Sequence, residues 1–458
     1  MSEDIHLPDW AIKTLSKKST ITVVAGKARA LSLKNPDFVR ADIGEVCAPG
    51  LFPPGYRESL EKSSKDVLKD GRIGYTVPDG DPGLKKLIFK HSIPNELRAF
   101  ILERLESAAK SQGVDTEKYR ADNIQKYVAI THGGSGALGA AASIFFTDQK
   151  KFIVINQRTW QNHNLIVDMH GGMLWPVPLI NEKGEVADPD SILKLCQPVK
   201  DKISAILFTE INNPDGAVIT EPAEQEKLET IIKGLDVPLI LDVAYHEMVF
   251  DGKKVMQFSP DIVRKMVVCG TYSKTIQIPG ERLGYISSAD ERVVRYVYFY
   301  NRSHSGCPAV TCQKALIAHL TKFETAPEEI AAYRKALMSD LEERRNILVR
   351  KVKEELGWDM SSPGGAIYAA IPVPADLVKQ FKDIDNLSVE LVDKGGVSAI
   401  SGTDFEFRVR KTGSGYEVYT PSATDPEMNY LRFCYGFTPL NRVALAVDNI
   451  KKFIQSRG

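Results

Sequence analysis

The pattern that decides the fold of this chain lies in residues 265–285, KMVVCGTYSKTIQIPGERLGY. The apolar run that opens the stretch lacks polar alternation, which is typical of a strand covered on both faces. Lys274 follows this strand, and Arg282 stands eight residues later. A surface position would explain Lys274 alone. A lysine held near cations and partly desolvated, however, has a lowered pKa and can form an imine.

Six further apolar runs of the same kind flank this stretch, and helix-like segments separate several of them. They occupy residues 126–131, 151–156, 173–179, 203–211, 237–243 and 283–289, and the run at 265–272 is the seventh. The helix-like segment 221–234 has a proline near its start and a glycine at its end, which are typical helix boundaries. This alternation predicts an α/β fold with a mostly parallel seven-stranded sheet and helices on both faces.

The remaining stretches predict how the chain is divided. Apolar residues recur at helical spacing over 310–357, and short strands and helices follow the Pro-Gly-Gly at 363–365. We predict an N-terminal arm and part of a small domain over 1–60, a large domain over 61–325, and a small α+β domain over 326–458. The charged stretch 91–125 predicts a helical excursion on the surface.

The composition excludes several classes of function. The 458 residues include 59 Lys and Arg and 59 Asp and Glu, so charge gives no reason to expect a nucleic acid or an anionic membrane as partner. The polar N-terminus lacks the apolar core of a secretory signal, and no apolar stretch is long enough to span a bilayer, so we expect a cytoplasmic protein. The six cysteines complete no metal-ligand set, which favours reduced thiols and no metal site.

Two polar segments after strands could hold a ligand. In residues 131–138, THGGSGAL, free N–H groups at a helix start attract an anion, and glycines let the backbone approach a phosphate. A tight turn without a ligand explains this segment equally well. Trp160, in the segment 156–163, could stack on a flat ring, although a tryptophan of the core or of an interface is the simpler explanation.

Two more polar segments follow strands, at 212–216 (NNPDG) and 242–245 (DVAY). The first is a strong turn signal, and an amide that donates to a ligand oxygen is the alternative. Asp242 ends the most apolar strand, where it either caps a helix or keeps a ring nitrogen protonated. Because ligands bind beyond the carboxyl ends of strands in open α/β sheets, these segments and the one with Lys274 predict a single site.

In this order, the segments resemble the fold-type I pyridoxal 5′-phosphate (PLP) enzymes, and among them the class I and II aminotransferases. The resemblance runs from Asp42 to Arg432 and is most specific in Asn-Pro-x-Gly, Asp-x-Ala-Tyr and Ser-Lys with Gly-x-Arg-x-Gly-Tyr. It implies a large PLP-binding domain like that of aspartate aminotransferase and a homodimer with shared active sites. The implied reaction moves an amino group from an L-amino acid to a 2-oxo acid through a Schiff base on Lys274.

The resemblance also assigns roles to matching positions. Lys274 would carry the cofactor and move the proton, Asp242 would bond the pyridinium nitrogen, and Asn213 and Tyr245 would donate to the phenolic oxygen of the ring. The other positions surround the cofactor and the substrate: Trp160 stacks on the ring, Gly134, Ser135, Thr271 and Arg282 bind the phosphate, Tyr75 reaches the phosphate of the neighbouring subunit, Arg432 grips the α-carboxylate, and Gly44 joins Trp160 and Asn213 beside the substrate.

The sequence departs from the family pattern and leaves other functions open. Gly136 stands where many relatives have a larger polar residue, and no second arginine matches the one that binds the distal carboxylate in aspartate-specific relatives. The second departure favours aromatic, aliphatic or other non-acidic donors. A β-lyase, a synthase, a decarboxylase or a racemase would use the same residues. A PLP-binding regulator would need a DNA-binding module, and a non-catalytic homologue would leave buried polar groups unused.

Overall fold

The computed structural model describes residues 19–70, 73–413 and 415–456. The strands are β1 (Val39–Arg40), β2 (Val128–His132), β3 (Phe152–Asn156), β4 (Met173–Val177), β5 (Ile203–Thr209), β6 (Leu239–Asp242), β7 (Met266–Thr271), β8 (Leu283–Ser288), β9 (Tyr368–Pro372), β10 (Val397–Ser398), β11 (Ile400–Ser401), β12 (Arg408–Thr412), β13 (Gly415–Tyr419) and β14 (Tyr430–Cys434).

The α-helices are α1 (Thr20–Ser32), α2 (Tyr56–Asp70), α3 (Pro82–His91), α4 (Asn95–Ser111), α5 (Thr116–Asn123), α6 (Gly133–Phe145), α7 (Asn162–Met169), α8 (Pro189–Cys196), α9 (Pro222–Leu235), α10 (Pro260–Val263), α11 (Glu291–His304), α12 (Val310–Thr325), α13 (Pro327–Lys351), α14 (Ala375–Gln380), α15 (Ile384–Lys394) and α16 (Leu440–Gln455). Short 3₁₀ helices span Ile124–Tyr127, Gln197–Lys202, Pro279–Glu281, Gly402–Asp404 and Pro426–Met428, and a π-helix, Val352–Leu356, continues α13.

Seven strands form the central sheet, in the order β2-β8-β7-β6-β5-β3-β4. Neighbouring strands are parallel except at β8, which pairs antiparallel with both β2 and β7. Each of the seven predicted apolar runs overlaps one of these strands. The prediction of an α/β fold with a mostly parallel seven-stranded sheet is therefore confirmed.

The sheet is buried on both faces, which explains why its strands lack polar alternation. Successive side chains of a strand point to opposite faces. In β6, Leu239 and Leu241 pack into one hydrophobic cluster, whereas Ile240 packs into the other. Helix α9 contributes Leu228 to the first cluster, and α6 contributes Ala137 to the second. Both faces therefore need apolar residues at every strand position.

The register of the sheet brings the strand ends that precede the polar segments to one edge. Thr209 at the end of β5 pairs with Asp242 at the end of β6. At the same edge, Thr271 at the end of β7 lies opposite Gly284, and His132 at the end of β2 lies opposite Leu283. The polar segments that follow these strands consequently start side by side, as expected for parallel strands.

The rest of the described chain surrounds this sheet. Strands β11, β14 and β9 form an antiparallel sheet, β1 pairs with β10, and β12 and β13 form a hairpin. The N-terminal arm contains α1, a helix that the sequence did not predict because its Thr and Val residues have weak helical propensity. Burial of Val24 and Ala28 against Phe405 stabilises it. Residues 1–18 of the arm lie outside the described residues, and the domain boundaries stay a prediction.

Two local predictions need correction. The stretch 91–125 is helical and lies largely at the surface as predicted, but α4 buries one face through Leu97, Ile101 and Leu105, which the sequence did not predict. The predicted helix at 221–234 ends at Leu235, and Asp236, with a φ of 52°, takes the left-handed position expected of a glycine. Among the described helices, none combines the length and apolar character needed to cross a bilayer.

Candidate active site

A cavity of about 250 Å³ lies at the edge of the central sheet where β5, β6 and β7 end, and residues of β9 and β14 close its other side. All residues that the sequence placed at the site line this cavity except Tyr75: Gly44, Gly134, Ser135, Trp160, Asn213, Asp242, Tyr245, Thr271, Lys274, Arg282 and Arg432. The structure thus brings together residues that lie far apart along the chain, from Gly44 to Arg432. Their chemical roles stay predictions.

Lys274 projects into the cavity from the turn after β7. Its Nζ donates a hydrogen bond to the carbonyl oxygen of Gly44. Burial lowers the pKa of Lys274, and the positive charges of Arg432 and Arg282 act in the same direction. A lower pKa leaves more of the amine unprotonated at neutral pH, and the unprotonated amine is the form that attacks a carbonyl carbon.

Asp242 lies at the end of β6 and is held from two sides. One carboxylate oxygen accepts a hydrogen bond from the backbone N–H of Ala244 at 3.0 Å, and the other lies 3.2 Å from Nε2 of His163. The second ring nitrogen of His163 lies 2.8 Å from the hydroxyl of Thr159. Asp242 is therefore fixed in orientation, and its carboxylate borders the cavity.

Asn213 lies in the turn after β5. The turn closes through a backbone hydrogen bond from Gly216 to the carbonyl of Asn212 at 3.0 Å, and Gly216 has a φ of 72°. A Cβ at Gly216 would approach the carbonyl oxygen of Gly365 to 2.7 Å, so only glycine fits. The side-chain oxygen of Asn213 is buried and has no hydrogen-bond partner among the described residues. The segment is thus both a tight turn and a source of an unpaired polar group at the cavity.

The start of α6 forms an open cradle. No side chain caps this helix, and its first turn contains no acidic residue, so its first N–H groups are free. Gly134 and Ser135 of this turn line the cavity, where the helix dipole favours an anion. A Cβ at Gly133, whose φ is 69°, would approach a guanidinium nitrogen of Arg282 to 2.5 Å. A Cβ at Gly134 would approach the Cβ of Thr271 to 3.3 Å. Both glycines therefore keep space beside a cation and a hydroxyl.

The donors around this cradle suit an anion. The hydroxyls of Thr271 and Ser273 lie 2.9 Å apart, and both residues line the cavity with Ser135. Arg282 has a left-handed backbone with a φ of 52°, and its Nη1 donates to the carbonyl of Pro279 at 2.9 Å. A helix start, hydroxyl groups and a guanidinium together provide the donors that a phosphate group requires.

Arg432 on β14 provides a second cation on the opposite side. Its Nη2 donates to the backbone carbonyl of Asp42 at 2.6 Å, and its Nε is buried without a hydrogen-bond partner among the described residues. The guanidinium carbon lies 4.8 Å from the ring centre of Tyr368 and 5.0 Å from that of Phe405. Only 4% of Arg432 is exposed. A buried guanidinium with an unused donor fits a carboxylate ligand.

Trp160, Gly44 and Tyr75 complete the predicted set. The ring of Trp160 packs edge to face on His163, with ring centres 5.3 Å apart, and borders the cavity. A Cβ at Gly44 would approach the hydroxyl of Tyr368 to 2.5 Å, which explains a glycine at this wall. Tyr75 is 93% exposed and does not line the cavity of its own chain. Its contact with a neighbouring subunit stays a prediction.

Three residues of the site were not predicted from the sequence. His163 contacts Asp242, Ser273 contacts Thr271, and Tyr368 contacts both Gly44 and Tyr245. The position of His163, three residues after Trp160 and at a helix start, was a usable signal. Tyr368 gives no local signal because it lies in an ordinary strand, more than a hundred residues from Gly44 and Tyr245.

Comparison with known proteins agrees with this geometry. Residues 105–432 match the sequence profile of the family described as aminotransferase class I and II. The chain is 25% identical to the aspartate aminotransferase of Sulfurisphaera tokodaii over 77% of this chain and 79% of that protein. It is 24% identical to aromatic-amino-acid aminotransferase 2 of Thermococcus litoralis over 93% of this chain and 98% of that protein.

The fold also has counterparts among solved structures. The crystal structure of an aminotransferase from Mycobacterium tuberculosis superimposes with a TM-score of 0.72 and 20% identity, covering 98% of this chain and 99% of the other. At this identity the superposition establishes the fold, and the family profile, which spans most of the chain, establishes the family. This chain therefore belongs to the class I and II aminotransferases, which use pyridoxal phosphate to move amino groups between small-molecule amino and keto acids.

Proposed function

We propose that this aminotransferase holds PLP on Lys274 and transfers an amino group from a non-acidic L-amino acid to a 2-oxo acid. One observation supports this most strongly: a buried amine, a fixed carboxylate, an uncapped helix start and a buried guanidinium all line one cavity. These are the groups needed for an aldehyde, a ring nitrogen, a phosphate and a substrate carboxylate.

The residues of the cavity fit the cofactor. The amine of Lys274 would bond its aldehyde carbon, and Asp242, held by Ala244 and His163, would keep its ring nitrogen protonated. The remaining residues surround the ring and the phosphate: Asn213 and Tyr245 at the phenolic oxygen, Trp160 on the ring face, and Gly134, Ser135, Thr271 and Arg282 at the phosphate. When bound, PLP supplies a ring that accepts the electrons released at the substrate carbon.

The chain itself would orient the substrate and move the proton. Arg432 would hold the α-carboxylate through two parallel hydrogen bonds, a geometry that a lysine cannot reproduce. Once released, Lys274 would act as the general base that takes the proton from the substrate Cα and returns it as a general acid. Its lowered pKa suits this exchange near neutral pH.

The lining of the cavity supports a non-acidic donor. Its cationic residues are Lys274, Arg282 and Arg432, and each already has a partner in the cofactor or the α-carboxylate. Ile21 and Trp160 add apolar surface. The names of the relatives diverge, since one acts on aspartate and another on aromatic amino acids. A panel of aromatic, aliphatic and acidic donors with 2-oxoglutarate or pyruvate tests this preference, and faster turnover of aspartate than of all neutral donors would overturn it.

We further propose a homodimer with shared active sites. Tyr75 is 93% exposed in the single chain, and Ile73 and Val77, two residues to either side of it, are 57% and 45% exposed. Exposed apolar residues clustered on one segment favour a protein partner. Sedimentation of the purified protein tests the dimer, and Tyr75→Phe should weaken cofactor binding if the tyrosine reaches the phosphate of the neighbouring subunit.

The attachment of the cofactor can be tested directly. Purified protein supplied with PLP is reduced with borohydride and digested, and the modified peptide should contain Lys274. Lys274→Ala should lose the label and nearly all turnover. Amino acid supplied alone should yield oxo acid only up to one equivalent of enzyme. Continuous release of ammonia or pyruvate would instead identify a lyase on the same scaffold.

A further inference from the structure

Tyr368 lies at the centre of the proposed site without a role in it. It belongs to β9, is 2% exposed and lines the cavity. Its hydroxyl oxygen lies 3.3 Å from that of Tyr245, and its ring lies 4.8 Å from the guanidinium carbon of Arg432. The glycine at position 44, whose carbonyl accepts the hydrogen bond of Lys274, leaves space for the same hydroxyl. Tyr368 thus contacts the cofactor side and the carboxylate side of the cavity at once.

The hydroxyls of Tyr245 and Tyr368 can form a hydrogen bond with each other in either direction. Each hydroxyl carries one proton, and in this structure Tyr245 donates its proton to Tyr368. Burial raises the pKa of Tyr245 well above its usual value and that of Tyr368 to about 12, so both stay protonated at neutral pH. If Tyr245 turns its proton towards a ligand oxygen, its own oxygen becomes free to accept the proton of Tyr368.

We propose that Tyr368 is a positioning residue that donates a hydrogen bond to Tyr245 while Tyr245 donates to the phenolic oxygen of the cofactor, and that its ring holds the guanidinium of Arg432 in place. This inference rests on the proposed function. It assigns the two halves of one side chain to two tasks: the hydroxyl tunes a donor to the cofactor, and the ring supports the group that binds the substrate carboxylate.

The hydroxyl has a spectroscopic consequence. A hydroxyl that accepts a hydrogen bond is a stronger donor, because hydrogen bonds in a chain polarise one another. A stronger bond from Tyr245 would favour the deprotonated form of the cofactor, in which the phenolic oxygen is anionic. Without the hydroxyl of Tyr368, the bond from Tyr245 is weaker, so the cofactor would lose its proton at a higher pH. In Tyr368→Phe we therefore expect the pH midpoint of the cofactor's visible absorbance to rise by about half a unit.

The ring has a kinetic consequence. A phenylalanine at position 368 keeps an aromatic face beside Arg432, whereas a leucine removes it. Tyr368→Phe should leave the KM for amino acid and oxo acid within about twofold of the wild type. Tyr368→Leu should raise both KM values about tenfold, because the guanidinium loses a contact that fixes its orientation. The difference between the two variants separates the ring from the hydroxyl.

Tyr435 provides a matched control. It is buried, and its hydroxyl donates to the backbone carbonyls of Gly365 at 3.3 Å and Ala366 at 3.2 Å, but it does not line the cavity. Tyr435→Phe removes one buried hydroxyl in the same way as Tyr368→Phe. We expect it to change the melting temperature while leaving the absorbance midpoint and both KM values unchanged.

The experiment is a pH titration of the visible absorbance of the PLP-loaded wild type, Tyr368→Phe and Tyr435→Phe, with KM measured for these and for Tyr368→Leu. A midpoint that rises only in Tyr368→Phe and a KM that rises only in Tyr368→Leu support the inference. If Tyr368→Phe titrates like the wild type, or if Tyr435→Phe shows a shift of equal size, the inference is overturned. The proposed function is not affected by either result. A wild type without any pH-dependent cofactor absorbance overturns the proposed function as well.

Discussion

Arg158 links three segments that each carry a predicted site residue, so its removal should disturb both the stability of the fold and the geometry of the site. Its Nε donates to the carboxylate of Glu406, its Nη1 lies 3.8 Å from the carboxylate of Asp215, and its guanidinium lies 4.6 Å from the ring centre of Tyr430. Arg158 itself precedes Trp160, Asp215 lies in the turn of Asn213, and Tyr430 begins the strand of Arg432. The guanidinium therefore connects the ring-stacking, donor and carboxylate-binding parts of the cavity.

The cost of Arg158→Gln in free energy of unfolding depends on how deeply the two carboxylates beside Arg158 are buried. Glu406 is 1% exposed and Asp215 is 4% exposed, so both carboxylates would lose a cation inside the protein. Removing one partner of a buried ion pair costs about 3–5 kcal/mol. Glu406 keeps Arg408, whose Nη1 donates to it at 2.9 Å, which favours the lower end. We expect a loss of about 3 kcal/mol in the free energy of unfolding.

Arg410 in the adjacent hairpin gives a matched control. It pairs with Glu417 at 2.9 Å, but its side chain is 59% exposed. An exposed ion pair contributes about 0–1 kcal/mol, so Arg410→Gln should change stability little. Urea unfolding of the wild type and both variants, at one fixed concentration of PLP, measures the difference. Equal destabilisation by the two substitutions would refute the reasoning, because the expected difference rests on the burial of the carboxylates that Arg158 contacts.

The pH dependence provides a second check on Arg158. Burial raises the pKa of Asp215, whereas Arg158 lowers it. Without Arg158 the pKa rises further, so the folded variant takes up a proton more readily than the unfolded chain does. Stability of the variant then improves as the pH falls. The deficit of Arg158→Gln relative to the wild type should be smaller at pH 5 than at pH 8, and a deficit that grows towards acid pH would contradict this assignment.

The other predictions concern the site and the residues behind it. Arg432→Ala should lower kcat/KM for both substrates at least about a hundredfold, from a loss of about 3–5 kcal/mol, with unchanged PLP attachment in the borohydride assay. Asp242→Ala should still attach PLP but slow proton abstraction about 10²- to 10³-fold, measured with a Cα-deuterated donor; normal rates would remove Asp242 from its role. Burial alone would lower the pKa of His246, but Glu210, 3.0 Å away, raises it to about 9. That stabilisation is complete below pH 6.5 and is lost as the pH rises through about 9, so Glu210→Gln should lower the melting temperature at pH 6.5 more than at about pH 9.5.

The seven strands of the central sheet could be predicted because their signal is local. A strand buried on both faces needs apolar residues at every position, as β6 shows with Leu239, Ile240 and Leu241. Helix α1 was missed because its stability comes from the burial of Val24 and Ala28 rather than from local propensity. The buried face of α4 was missed because charged residues dominate the stretch 91–125.

The amino-acid sequence by itself determined the strands, the polar segments that follow them and the family, because each of these depends on residue types at short spacing. Only the tertiary structure decided the partners of those polar groups. His163 meets Asp242 across 79 residues, Tyr245 meets Tyr368 across 123 and Arg158 meets Glu406 across 248. A hydrogen bond depends on distance in space, and distances between segments arise only when the sheet and the surrounding chain pack together.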